Sequence, residues 1–262
     1  MAQNLTLEKK GKLGIIIINR PEVKNAINEQ TLLELRSAIR EFRNNKRIRA
    51  VMITGIKDTF SAGMDLKSVQ GLSTEKVNWI TALGRIVLFE IFSGMEIEVD
   101  PIDFFEDNEN VQINKLKIGH NWKPVIAAIN GYALGGGLEL ACACDFRVAS
   151  RRAILGFPEV NLGIFPAWGG TQLSTKLLGM PISKYLIFTG SRITADYAFN
   201  IGLLHEIYEE EEFFDKSIEF GKRISSKNID LLRNMKDLID RQYLLPIYEG
   251  LKLEHLYSSK WG

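Results

Sequence analysis

Three consecutive glycines, Gly135-Gly136-Gly137, limit what this chain can fold into more than any other feature. They follow the strand-like run 124–130, with Val125, Ile126 and Ile129, and precede the helix-like run Leu138–Cys144. A helix that starts this way presents unpaired N–H groups and a partial positive charge, and glycine lets a ligand come close to that backbone. Taken alone, the triplet is equally a tight strand-to-helix turn with no ligand.

The neighbourhood of the triplet adds carboxylates. Glu139 stands two residues past it, and Glu159 lies twenty positions later, in Phe157-Pro158-Glu159-Val160-Asn161-Leu162-Gly163. Upstream, Phe60-Ser61-Ala62-Gly63-Met64-Asp65-Leu66 is a second turn of small residues after a strand, exposing further N–H groups. Each piece has a plain reading: Glu139 as a surface glutamate complementing a helix dipole, Glu159 as a cap. Together they supply two carboxyls for proton transfer and two N–H sites for a developing oxyanion. That combination suits adding or moving a proton beside a carbonyl.

The rest of the chain reads as α/β. Strands are expected at 13–19, 50–54, 124–130 and 145–149. A helix opens at Asn28 or Glu29, with Leu32, Leu33, Leu35, Ile39 and Phe42 on its apolar side. Another covers 76–94, with Val77, Ile80, Leu83, Val87 and Ile91 at steps of three and four. Strands alternating with helices define the class. From Ala195 onward the pattern is helical, with helices expected at 212–226, 228–240 and 247–258. Two parts follow: a core over 1–195 and a helical region over 196–262. Residues Glu96–Asn110 are acidic and irregular, the pattern of a solvated surface, although Phe104-Phe105 requires a partner.

Composition removes other classes. With 262 residues, 45% of them apolar, the chain supports a substantial core, and its net charge of +1 supplies no global attraction to nucleic acid or membrane. No run approaches the roughly 18 apolar residues of a membrane helix. Met1-Ala2-Gln3-Asn4 does not open a secretion signal, so a cytoplasmic location is expected. Cys142 and Cys144 read as small buried residues, and three histidines give no metal set.

At this point the chain resembles a family, the crotonase superfamily, and within it the enoyl-CoA hydratases. The stretches that carry the resemblance are Asn19-Arg20-Pro21 with Lys24-Asn25-Ala26, Phe60–Leu66, Lys123–Gly137, Pro158–Ile164, Gly169-Gly170-Thr171-Gln172, Thr189-Gly190, and Ile193-Thr194-Ala195 with Ala198 and Ile201-Gly202-Leu203. It spans about residues 12 to 257, outside a segment near 70–120. The resemblance implies a spiral of stacked β-β-α units, with a helical C-terminal part that builds a homotrimer or a dimer of trimers. It implies a coenzyme A thioester as substrate and no separate cofactor, coenzyme A being part of the substrate. By position, the N–H groups of Met64 and Gly136 match the family's oxyanion hole, and Glu139 and Glu159 match its catalytic carboxylates. Lys24, Ala26, Ala62, Asp65 and Leu66 fall where the family contacts coenzyme A.

Retention of both glutamates favours hydration of a 2-enoyl thioester. Glu159 is assigned to the α-proton and Glu139 to the water. The alternatives are double-bond isomerisation, or hydration or hydrolysis of a cyclic acyl-CoA. They are motivated by an insertion at about 88–118 and by Ala167-Trp168, where Trp168 is expected to narrow or cover the pocket and Ala167 to offer an N–H to the catalytic water. The chain also stops soon after Gly250–Glu254, where the resemblance implies a further helix. A reading from another class is RNA binding through Arg36, Arg40, Arg43, Lys46, Arg47 and Arg49, which the resemblance places on a basic helix; a solvated helix face is its plain counterpart.

Overall fold

The computed structural model describes residues 4–106, 122–241 and 245–259. Strands β1 (Leu5–Lys10) and β2 (Leu13–Ile18) form an antiparallel hairpin turned at Gly11, where φ is +65°. Next come β3 (Ala50–Gly55) and β4 (Thr59–Ser61), then β5 (Val125–Ile129) and β6 (Tyr132–Leu134). They are followed by β7 (Phe146–Ser150), β8 (Ile154–Gly156), β9 (Arg192–Thr194) and β10 (Glu206–Tyr208). Two sheets result. The larger runs β1-β2-β3-β5-β7-β10, parallel from β2 onward; the smaller runs β4-β6-β8-β9.

The chain alternates between the sheets. Each of β3, β5 and β7 sits in the larger sheet and is followed by a short strand in the smaller one, β4, β6 or β8. Helices then return the chain: α1 (Glu29–Asn44) after β2, α2 (Leu66–Val69) and α3 (Thr74–Ser93) after β4, α5 (Gly136–Ala143) after β6, and α6 (Gly170–Thr189) after β8. This is the spiral of β-β-α units that the resemblance implied.

Burial explains why the long strands read as unbroken apolar runs. Both faces of the larger sheet are covered. Ile16, Ile18, Val51, Ile53, Val125, Ala127 and Ile129 pack on one side with Leu32, Leu35, Ile39 and Phe42 of α1 and with Leu83, Val87 and Ile91 of α3. Leu13, Ile15, Met52, Ile126 and Val148 face the other side, against Phe213, Ile218 and Phe220 of α8 (Phe213–Ser225). Asn28 caps α1, its side chain accepting from the Thr31 N–H. After α4 (Pro101–Glu106) and α7 (Ala195–Asn200), α8 is followed by α9 (Ile229–Arg241) and α10 (Ile247–Ser258). Both β10 and α8 come from the region beyond Ala195 and pack into the larger sheet.

Part of the segment 88–118 is visible. Its first residues finish α3, Phe104 in α4 packs its ring 6.0 Å from that of Phe89, and 107–118 lie outside the described residues. Cys142 and Cys144 are buried and free, and burial pushes both thiols up, Cys142 to about 12.

Candidate active site

Three parallel strands of the smaller sheet build the site from their C-terminal ends. β4 pairs with β6, and β6 with β8. Their exits carry Ala62-Gly63-Met64, Gly135-Gly136 with Glu139, and Pro158-Glu159 respectively. All eight residues line one cavity of about 570 Å³.

The backbone around Met64 is engaged on both sides. The Ile27 N–H donates to the Gly63 carbonyl at 2.8 Å, and the Asp65 N–H donates to the Ile27 carbonyl at 2.9 Å. The Gly135 N–H donates to the Gly156 carbonyl at 3.0 Å. Between these bonds, the N–H groups of Met64 and Gly136 have no acceptor among the described residues. Gly135 holds φ at +53°, which an L side chain rarely adopts, and a Cβ there would stand 3.1 Å from Glu159 Oε1. A Cβ on Gly136 would lie 3.3 Å from the Met64 nitrogen, so the two free amides are neighbours.

Both glutamates are buried, Glu139 at 2% exposure and Glu159 at 7%, and no cation pairs with either among the described residues. Glu139 Oε1 accepts from the Trp168 N–H at 2.8 Å and the Gly170 N–H at 2.7 Å. Ala167, expected from the sequence to offer an N–H to the catalytic water, lines the same cavity. The Ala167 carbonyl accepts from Arg85 Nε at 2.7 Å, and it belongs to the same peptide whose N–H donates to Glu139. Glu159 Oε2 is buried without a partner. Burial pushes both carboxyls up; Glu139 reaches about 8, raised further by Glu159 and pulled down by its two amides and by Arg85. Facing carboxyls titrate as a pair. The two carboxyls differ in support: two amides hold Glu139 Oε1, while Glu159 Oε2 has no donor or acceptor among the described residues.

The other expected positions lie beside this centre. Ala62 and Leu66 line the cavity, Leu66 being exposed, and Lys24 is exposed. Ala26 is buried, and the Ala62 N–H donates to the Lys24 carbonyl at 3.0 Å. Lys24 and Asn25 both hold φ at 53°, kept there by the Asn25 side chain, which donates to the Thr59 carbonyl at 2.6 Å and accepts from the Arg20 N–H at 2.9 Å. Asp65 is engaged internally: it pairs with Arg20 at 2.9 Å and caps α2 through the Ser68 N–H. Its carboxylate serves the loop.

Sequence reasoning missed Arg85, Gly84 and Gly170. A glycine inside the otherwise apolar helix α3 was the available signal. A Cβ at Gly84 would stand 2.4 Å from Trp168 Nε1, and one at Gly136 would stand 2.6 Å from Trp168 Cζ3. The indole, 3% exposed, therefore fills the gap between two glycines of facing helices.

The basic face of α1 is not an open cation surface. Arg36 and Arg40 converge on the buried Glu90, and Arg43, itself buried, donates to the Glu90 and Ile91 carbonyls at 2.6 and 2.9 Å. That engagement removes three of the six cations from the RNA reading.

Two free amides beside two buried carboxyls that form no ion pair among the described residues make a class of site chemically able to stabilise an oxyanion while moving protons around it. The sequence agrees with that class. A profile described as enoyl-CoA hydratase/isomerase matches residues 13–242, and the chain belongs to this family. It is 39% identical over 226 residues to the crotonyl-CoA hydratase of Syntrophomonas wolfei, covering 86% of this chain and 76% of the relative. It is 36% identical to the short-chain-enoyl-CoA hydratase of Clostridium acetobutylicum, covering 96% and 86% of the two chains. Among solved structures, an enoyl-CoA hydratase from Bacillus anthracis superposes with a TM-score of 0.83 at 31% identity, covering 98% of this chain and 90% of that one.

Proposed function

We propose that this chain is an enoyl-CoA hydratase, adding water across the 2,3 double bond of a 2-enoyl-CoA thioester. The observation that carries the proposal is the coincidence, in one cavity, of the free Met64 and Gly136 amides with two buried carboxyls that form no ion pair among the described residues. Relatives named as hydratases of crotonyl-CoA and of short-chain enoyl-CoA support the substrate class.

The chemistry follows from the hydrogen bonds. Glu139, oriented by the Trp168 and Gly170 amides, holds a water through its remaining lone pairs and takes a proton from it as the oxygen adds to Cβ. The π electrons move onto the thioester oxygen, where the Met64 and Gly136 N–H groups receive the developing charge. Glu159 then gives its proton to Cα as the enolate collapses. One proton on the pair is the working state: a doubly protonated pair lacks the base, and a doubly ionised pair lacks the acid. No cofactor is needed for this addition. Coenzyme A is assigned to the edge formed by Lys24, Ala26, Ala62 and Leu66, with Asp65 holding the loop.

Assembly into a trimer, or a dimer of trimers, belongs to the same proposal. It is supported by exposed apolar residues such as Leu162, Met180, Phe188 and Ile247, and light scattering tests it. The reaction is tested by incubating the protein with crotonyl-CoA and, separately, with a 3-enoyl-CoA. Formation of a 3-hydroxyacyl thioester from the first supports the proposal. Double-bond migration in the second without hydration of the first overturns it in favour of an isomerase.

A further inference from the structure

Trp168 lies between two cavities. On one side is the catalytic cavity. On the other is an apolar cavity of about 310 Å³, with Leu88, Phe89, Phe92, Phe105 and Leu173 in its wall. Arg85, Phe165, Ala167 and Trp168 line both. The indole spans the partition: its six-membered ring sits over Gly136, whose amide faces the thioester oxygen, and its pyrrole edge sits against Gly84 of α3.

We propose that Trp168 is the end wall of the acyl pocket, and that the apolar cavity behind it is a closed-off extension able to take the alkyl tail of a longer acyl chain. The inference rests on the hydratase reading for the identity of the substrate. Three observations carry it. Glycine is unfavourable inside a helix, and Gly84 is matched to the indole because any side chain there would overlap it. The six-membered ring packs directly on Gly136, inside the cavity that also holds the Met64 amide and both carboxyls. The space beyond the ring is lined by aromatic and aliphatic side chains, with Arg85 at its edge held by Ala167 and facing the Phe105 ring at 5.6 Å. The backbone N–H that serves Glu139 belongs to Trp168 whatever its side chain, so the wall and the catalytic hydrogen bond are separable by substitution.

The experiment compares the protein with Trp168→Leu and Trp168→Ala. Calorimetry gives the affinities of butyryl-CoA and octanoyl-CoA, and initial rates give kcat/KM on four-carbon and eight-carbon 2-enoyl-CoA. The unaltered protein is expected to favour the four-carbon ligands in both assays. In the variants the eight-to-four-carbon ratio rises at least about tenfold, the discrimination typical of a single methylene at a pocket wall. Equal handling of both lengths by the unaltered protein overturns the inference. So does an unchanged ratio in Trp168→Leu, the milder change, with a retained melting transition. Octanoyl-CoA binding that improves in the variants while no enoyl-CoA is hydrated sustains the wall and removes the hydratase reading instead.

Discussion

This chain buries carboxylates in two places and treats them in opposite ways. Glu90, at 1% exposure near the end of α3, is fully answered: it meets Arg36 and Arg40, and its Oε1 also accepts from the Ile97 N–H at 2.9 Å. Glu139 and Glu159 are buried to a similar degree, and among the described residues neither forms an ion pair and one oxygen of Glu159 has no partner. Burying a charge without a partner is costly, so a fold keeps such groups only where something else requires them. Glu90 ties α1 to α3 and to the chain beyond α3. The other two are left available for protons.

The strongest way to break this comparison is to neutralise each carboxyl in turn. Glu159→Gln and Glu139→Gln are expected to lower kcat on crotonyl-CoA by about 10² to 10⁴, the usual worth of a general acid or base, with melting temperatures equal to or above that of the parent. Glu90→Gln should do the reverse. It removes the buried carboxylate that Arg36 and Arg40 share, leaving Arg40 its exposed partner Glu98, costs about 3–5 kcal/mol in denaturant unfolding, and leaves the rate per folded molecule intact. Next in size is Arg85→Met. It frees the Ala167–Trp168 peptide and removes a charge that holds Glu139 down, so kcat falls about tenfold and the alkaline limb of the pH–rate profile moves upward. That limb is expected near pH 8 in the parent, where the pair gives up its last proton. The smallest effect is on stability. Because the folded pair holds its protons above the ordinary carboxylate range, stability is fullest at low pH and declines as pH rises from that range through about 8. Glu139→Gln should flatten that decline.

The long strands and α1 were legible because their signals are local: unbroken apolar runs, a 3.6-residue period, and Asn28 as a cap. The last three helices were placed within one or two residues on the same grounds. The strands β4, β6, β8 and β9 have three residues each, too short for a period, although the first three deliver the site. Helix α6 was hidden by Gly179, which breaks its geometry, and by Pro181. The arginines of α1 read as a surface stripe because their partner Glu90 lies 47 or more residues away along the chain. The positions of Glu139 and Glu159 could be named from the sequence. What separates them from Glu90 is that no cation pairs with them among the described residues, which only the packed structure displays.

The most direct measurement is the loss of enoyl-thioester ultraviolet absorbance with crotonyl-CoA, followed for the parent, Glu139→Gln and Glu159→Gln at matched folded concentration. The account predicts rapid loss in the parent and its collapse in both variants. Loss that persists in either variant, or none in a parent that still binds coenzyme A thioesters, would contradict it.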